Sequence, residues 1–221
     1  TLVPPTYVQV NGEDFGKVVE KQLVTYGDQW KGVSLDDGQT SLYNPEKAKA
    51  SFAKAKAELQ KQGVQFPIHI DYVVDQSSNA LVQQADSMKS SIEAALGKDN
   101  VVIDVQKLST DDADNATYFA QSPDQKDFDM DITGWGPDFQ DPSTYLDILN
   151  PTDGSTLTGM GLDPKKDQAL IEKIGLNQYK ELLDAANAEK LDTNARYEKY
   201  AAAQAWLTEN AIVLPIYSKG G

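Results

Sequence analysis

Cysteine is absent from the 221 residues, which rules out a disulfide framework and a thiolate metal site and leaves the compartment open. Histidine occurs once, as His69. A catalytic or metal-binding histidine needs partners at a family-like spacing, and none is visible, so a structural or surface role is expected. No apolar run approaches the ~20 residues that a membrane-spanning helix requires. Thr1-Leu2-Val3-Pro4-Pro5 lacks the basic start and apolar core of a signal peptide. Positive charge is scarce: 20 Lys and Arg stand against 34 Asp and Glu, a net charge of −14. Phosphates demand a basic face, so nucleic acid is not expected as a partner, and an anionic membrane surface is disfavoured too.

What is present suits a globular α/β chain. The length fits one large domain or two small ones, enough to bury about 70% of the unfolded surface. The most informative stretch is 127–142. Phe128, Met130 and Ile132 alternate with Asp129, Asp131 and Thr133, the period of a half-buried strand. The strand is expected to run into Gly134-Trp135-Gly136-Pro137, where two glycines permit unusual backbone angles and close approach and Pro137 cannot extend a ladder. Pro142 then opens a helical turn at Ser143-Thr144-Tyr145-Leu146. On the residues alone two readings stay open. In one, Trp135 is core and Asp138 and Asp141 cap helices. In the other the turn is a docking place, with free backbone groups at Gly134 and Gly136, an indole wall at Trp135 and a cation acceptor at Asp138.

Before this stretch, Val8 and Val10 suggest a short strand ahead of Asn11-Gly12, and residues 14–24 suggest a helix with Phe15, Val18, Val19 and Leu23 on one face. Tyr26 to Trp30 reads as a loop, where Trp30 could reach a ligand but is expected to pack against the domain, and Asp36-Asp37-Gly38 as a turn. Asn44-Pro45-Glu46 is a helix start with Asn44 as cap; Ala48, Phe52, Ala55 and Leu59 form its expected buried stripe, and Gly63 ends it. Strands are expected at Phe66 to Val74 and Val101 to Val105, with a helix from about 80 to 96 between them. In that helix Met88 is core rather than a cofactor ligand. A further helix is expected at 111–120. This order implies right-handed crossovers and a largely parallel sheet, with ligands bound beyond the strands' carboxyl ends. Helices follow at Lys165 to Ile174 and Gln178 to Ala188, interrupted near Gly175. Asp192-Thr193 caps a last helix to about Glu209, and a closing edge strand is expected at 211–217.

Asp127, Asp129, Asp131 and Asp138 superficially match a calcium loop, but Ile132 stands where its glycine belongs, so no metal is expected. Asn115-Ala116-Thr117 is read as a chance sequon. Asp138 and Asp141 also admit a carboxylate-pair hydrolase, and the acidic surface admits an adhesion or interaction module.

Three segments carry a resemblance: Tyr43-Asn44-Pro45-Glu46-Lys47-Ala48, the stretch Gly134-Trp135-Gly136-Pro137-Asp138-Phe139-Gln140-Asp141-Pro142, and Ala211-Ile212-Val213-Leu214-Pro215-Ile216-Tyr217-Ser218 after its helix. They resemble, in the same order, the family 5 extracellular solute-binding proteins, the peptide receptors of ABC importers. The resemblance is strongest to the streptococcal oligopeptide-binding lipoproteins of the Ami/Ali type. It implies one lobe of a periplasmic-binding-protein type II-like fold, mainly parallel sheet flanked by helices. Residues 1–43 are then an irregular lead-in and 44–221 the α/β body of a single C-terminal lobe, cut from a longer two-lobed protein. The abrupt start and the final Gly220-Gly221 fit such a piece. In the family the acid three residues after the tryptophan holds the peptide's amino group. The resemblance therefore makes Asp138, Trp135, Gly134, Gly136, Pro137 and Phe139 the ligand-binding set. Some members place an arginine three residues before that tryptophan, where this chain has Ile132. Also implied are oligopeptide ligands, a membrane permease and a second lobe as partners, no cofactor, no catalysis, and lipid anchoring at the extracellular face of the plasma membrane of a Gram-positive cell.

Overall fold

The computed structural model describes residues 1–35 and 42–218, so the turn expected at Asp36-Asp37-Gly38 and the final Gly220-Gly221 lie outside the described residues. In chain order the elements are β1 (Gln9–Val10), β2 (Glu13–Asp14), α1 (Phe15–Leu23), α2 (Pro45–Lys61), β3 (Ile68–Asp75), α3 (Asn79–Leu96), β4 (Val101–Leu108), α4 (Thr110–Ala116), α5 (Ser143–Leu146), α6 (Gln168–Lys173), α7 (Leu176–Ala188) and α8 (Thr193–Glu209). The contacts divide the chain into two compact units, Thr1–Tyr43 with Trp135–Gly221, and Asn44–Gly134. Among the described residues no helix is long and apolar enough to cross a membrane.

The first unit is built around α8. Asp192 caps it, its carboxylate accepting from the amides of Asn194 (2.9 Å) and Ala195 (3.1 Å). From Tyr200 to Leu207 all residues but Ala202 are buried, as befits a helix with neighbours on most sides. α1 packs on it through Phe15, Val18, Val19 and Leu23, and α7 through Tyr179 and Leu183. The Tyr179 and Trp206 rings lie 5.5 Å apart. Even the buried amide of Gln204 is satisfied, accepting from the Val3 amide at 2.9 Å. The short β1–β2 hairpin turns through Asn11 and Gly12, both with positive φ (53° and 81°), the turn that suits two-residue hairpins. Gly175 separates α6 from α7 at φ 82°, and a Cβ there would stand 3.0 Å from the Trp206 ring.

The second unit holds a two-stranded parallel sheet, β3 against β4, in register from Ile68 opposite Val101 to Asp75 opposite Leu108. Tyr72, Val74, Val101 and Ile103 face a small core closed by α3 through Ala85. Within it the buried Glu93 accepts from the Ile103 amide at 3.1 Å and pairs with Lys89 at 2.6 Å. Asn44 caps α2 as expected, accepting from the Lys47 amide at 2.9 Å. His69 is exposed, its Nδ1 2.7 Å from Asp104.

Four expectations are corrected. The strand at 127–133 shrinks to a single parallel bridge between Tyr72 and Met130. Here side chains take ladder positions: Asp129 accepts from the Asp71 amide (2.9 Å), and Asp131 accepts from the amide of its own neighbour Ile132 (2.7 Å). Short acidic side chains compete with sheet pairing in this way. The closing strand is absent: residues 211–217 pair with no ladder among the described residues, and Leu214, Ile216 and Tyr217 are exposed. The α2 stripe is only partly covered, with Phe52 and Leu59 half-buried and Ala48 and Ala55 exposed. Finally, α4 stops at Ala116, where the Thr117 hydroxyl bonds back to the Ala113 carbonyl at 2.7 Å.

Candidate functional site

Gly134 is the last residue of the second unit and Trp135 the first of the chain's return to the first. Neither Gly134 nor Gly136 adopts positive φ, and a Cβ on either would meet nothing within 4 Å. The unusual backbone angles that glycine permits are therefore not used at either position. Both positions are open, and the chain before Gly134 is irregular rather than the end of a ladder.

From Trp135 to Asp141 the first unit presents a loop clamped at two points. At one, the Trp135 indole N–H donates to the Thr144 carbonyl at 2.7 Å while the residue stays 41% exposed. The indole is thus tied by its polar edge and is not sealed in the core. At the other, the Tyr7 hydroxyl donates to the Phe139 carbonyl at 2.6 Å, and the Gln140 side-chain amide donates to the Tyr7 carbonyl at 3.0 Å. Tyr7 is itself set edge-on against Tyr145, ring centroids 5.1 Å apart. Gly136, Pro137 and Asp138 between the clamps are exposed. The Phe139 ring is 62% exposed.

The two acids of this loop part ways. Asp141 is 6% exposed and caps the following turn, accepting from the Ser143 amide at 3.0 Å. Its other oxygen is ion-paired with Arg196 on α8, the only arginine in the sequence. That guanidinium also lies over the rings of Tyr197 and Tyr200, 5.4 and 5.8 Å from their centroids. Burial, then the nearby Asp147 and Asp141, push the Tyr200 phenol up to about 12. Burial likewise raises the Asp147 carboxyl. Asp138 has no hydrogen bond or ion pair to any described residue and faces solvent. Of the two readings left open, capping holds for Asp141, and Asp138 is a free acceptor.

Sequence reasoning missed Tyr7, Arg196 and Thr144 as supports of the loop. A lone arginine in a strongly acidic chain is a signal that could have pointed to Arg196. Tyr7 carries none. Among the described residues no group of three or more His, Asp or Glu is placed to hold a metal ion.

Residues 12–156 match the family model described as bacterial extracellular solute-binding proteins, family 5 Middle. The chain belongs to this family. Its sequence is 55% identical to the oligopeptide-binding protein AliA of Streptococcus pneumoniae over 222 residues, 100% of this chain and 34% of that protein. It is 53% identical to the oligopeptide-binding protein SarA of Streptococcus gordonii, over 99% of this chain and 33% of that one. This family member thus spans about a third of the length of those relatives. Its fold is that of a solved peptide-binding protein of a peptide ABC transporter, with TM-score 0.65 and 23% identity over 97% of this chain and 76% of that chain. It also matches the substrate-binding domain of an oligopeptide ABC transporter from Bacillus anthracis, with TM-score 0.64 and 21% identity over 96% of this chain and 33% of that one. Both carry the mixed α/β architecture of type II binding proteins.

Proposed function

We propose that this chain is the C-terminal-lobe portion of an extracellular oligopeptide-binding protein that delivers peptides to an ABC importer. The observation that carries the proposal is Asp138: an exposed carboxylate without a partner, on a loop anchored at both ends, beside a half-exposed indole. The streptococcal relatives are oligopeptide-binding proteins by name. The single lobe, with 1–43 leading in and 44–221 as its body, belongs to the same proposal, as do the second lobe, the permease partner and lipid anchoring outside a Gram-positive cell.

In this reading Asp138 pairs with the peptide's α-amino group. The open backbone at Gly134 and Gly136 accepts an extended peptide by main-chain hydrogen bonds, each contributing a net ~1 kcal/mol. Neither glycine is required by the chain's own geometry, so close approach of a ligand backbone gives the absent side chains a purpose. Trp135 and Phe139 supply apolar walls, and Pro137 restricts the tip by fixing its own φ. Main-chain recognition gives affinity without choosing a sequence, and closure of a second lobe by hinge motion would desolvate the ion pair. The carboxylate-pair hydrolase loses its support, because Asp141 is already committed to Arg196 and the Ser143 amide.

The test is Asp138→Ala in the full-length protein. Removing one partner of a desolvated ion pair costs roughly 3–5 kcal/mol, so calorimetry should record peptide affinity falling by two orders of magnitude or more. An unchanged affinity would discard the role.

A further inference from the structure

We infer that Tyr7 is a positioning residue for peptide binding, holding the tip that carries Asp138; this rests on the function proposed above. Its hydroxyl reaches 132 residues along the chain to fix the Phe139 carbonyl at 2.6 Å, directly after Asp138. Gln140 returns a bond to the Tyr7 carbonyl at 3.0 Å, so the two segments are tied in both directions. The ring is oriented by Tyr145 behind it. Gly136, Pro137 and Asp138 have no hydrogen bond among the described residues, so the tip is held at its two ends. One end is held by the Trp135 indole. The other is held by the Phe139 carbonyl, which accepts from the Asp141 amide within its own turn (2.9 Å) and from Tyr7 as its one tie to a distant part of the chain. An acceptor aimed at a cation gains affinity when its direction is set before the ligand arrives, because less ordering is left for binding to do. Without the Tyr7 tie the Phe139 carbonyl keeps only its local bond to the Asp141 amide, and the turn can swing with Asp138 charged but less well aimed.

The hydroxyl can be removed with little else. Tyr7→Phe keeps the ring and its packing on Tyr145 and deletes one hydrogen bond. The probes are a mixture of hexapeptides with randomised side chains and free amino termini, and the same mixture N-acetylated, bound to the full-length protein. A net hydrogen bond is worth about a fivefold change in affinity, so Tyr7→Phe should weaken the free-amine mixture about fivefold and leave the acetylated mixture unchanged. In an Asp138→Asn background it should have no further effect, the non-additivity expected of residues that act as a unit. Gln140→Ala, which removes the reciprocal bond, should act in the same direction and less strongly. Equal losses on both mixtures, or additivity with Asp138→Asn, would mark Tyr7 as a general structural residue and overturn the inference. So would wild-type affinity in Tyr7→Phe. If the wild-type protein shows no preference for free amino termini, the role of Asp138 fails first, which separates the two failures.

Discussion

Helix α8 in the first unit is enclosed by residues drawn from both ends of the chain: Val3 and the α1 face on one side, α7 on another, and Tyr145 to Leu149 on a third. Helix α2 in the second unit touches its small core mainly through Phe52 and leaves Ala48 and Ala55 to solvent. The two helices are the same length, 17 residues each, and both are capped by an Asx side chain, but α8 carries no charged residue from Tyr200 to Thr208, whereas α2 spreads Lys47, Lys49, Lys54, Lys56 and Lys61 along its length. The number of partners differs as well. The first unit gathers two distant stretches of chain around one helix, whereas the second folds a single continuous stretch over two strands. A helix is stabilised mostly by the face it buries, so the apolar run of α8 yields a central helix in one unit and the lysine-rich α2 a peripheral one in the other.

The contrast should be largest at the two helix-facing phenylalanines. Phe15→Ala removes a fully buried ring from α1 and should cost about 3–5 kcal/mol in denaturant unfolding. Phe52→Ala, from a half-buried position, should cost about 1 kcal/mol. Equal costs would break the comparison by showing that the second unit's core is as demanding as the first's. A smaller effect concerns the second unit's acids. Desolvation lifts the Asp131 carboxyl to about 6 against a reference of 3.8. Its folded form therefore binds a proton more tightly than the unfolded form does. This contribution grows as the pH falls through 6 and is complete below the unfolded value. Glu93 and Asp75 act in the opposite sense, their carboxyls being held low chiefly by the Lys89 ammonium and by Ser77 respectively; what they contribute is lost as the pH falls below their reference values. Thermal melts should show Asp131→Asn more stable than wild type at pH 7.5, with the gap narrowing as the pH falls through 6 and closing only below 3.8. A gap of constant size would assign the change to something other than titration. The smallest effect belongs to Gly136→Ala. Its Cβ would meet nothing within 4 Å, so stability should stay within about 0.5 kcal/mol of wild type, while peptide affinity, if the backbone is approached there, should fall.

Much of the fold was legible because its signals are local. The caps at Asn44 and Asp192 and the apolar face of α1 depend on residues three or four positions apart. So does the break at Gly175. The failures share a cause as well. A strand is defined by the edge it pairs with, and alternation at 127–133 or an apolar run at 211–217 says nothing about whether an edge is there. At Asp129 and Asp131 the acids that made the alternation also supplied the side chains that replaced the ladder. The candidate site was legible as a segment but not as a geometry. Gly134 to Phe139 was recognised by resemblance, and Trp135 and Asp138 do stand exposed. The supports of the loop come from 55 residues away, where Arg196 pairs with Asp141, and 132 residues away, where Tyr7 holds the Phe139 carbonyl.

The sequence by itself determined the family, the order and kind of most elements, and which short stretch holds the acids. Only the tertiary structure decided which acid is spoken for. Asp138 and Asp141 are the same residue type three positions apart, and the sequence marks Asp141 only as the acid before Pro142, not as the partner of a distant arginine. The packing of α8 brings the one arginine against Asp141, where burial makes a partner obligatory, and leaves Asp138 in water, where a carboxylate can wait for its cation at little cost.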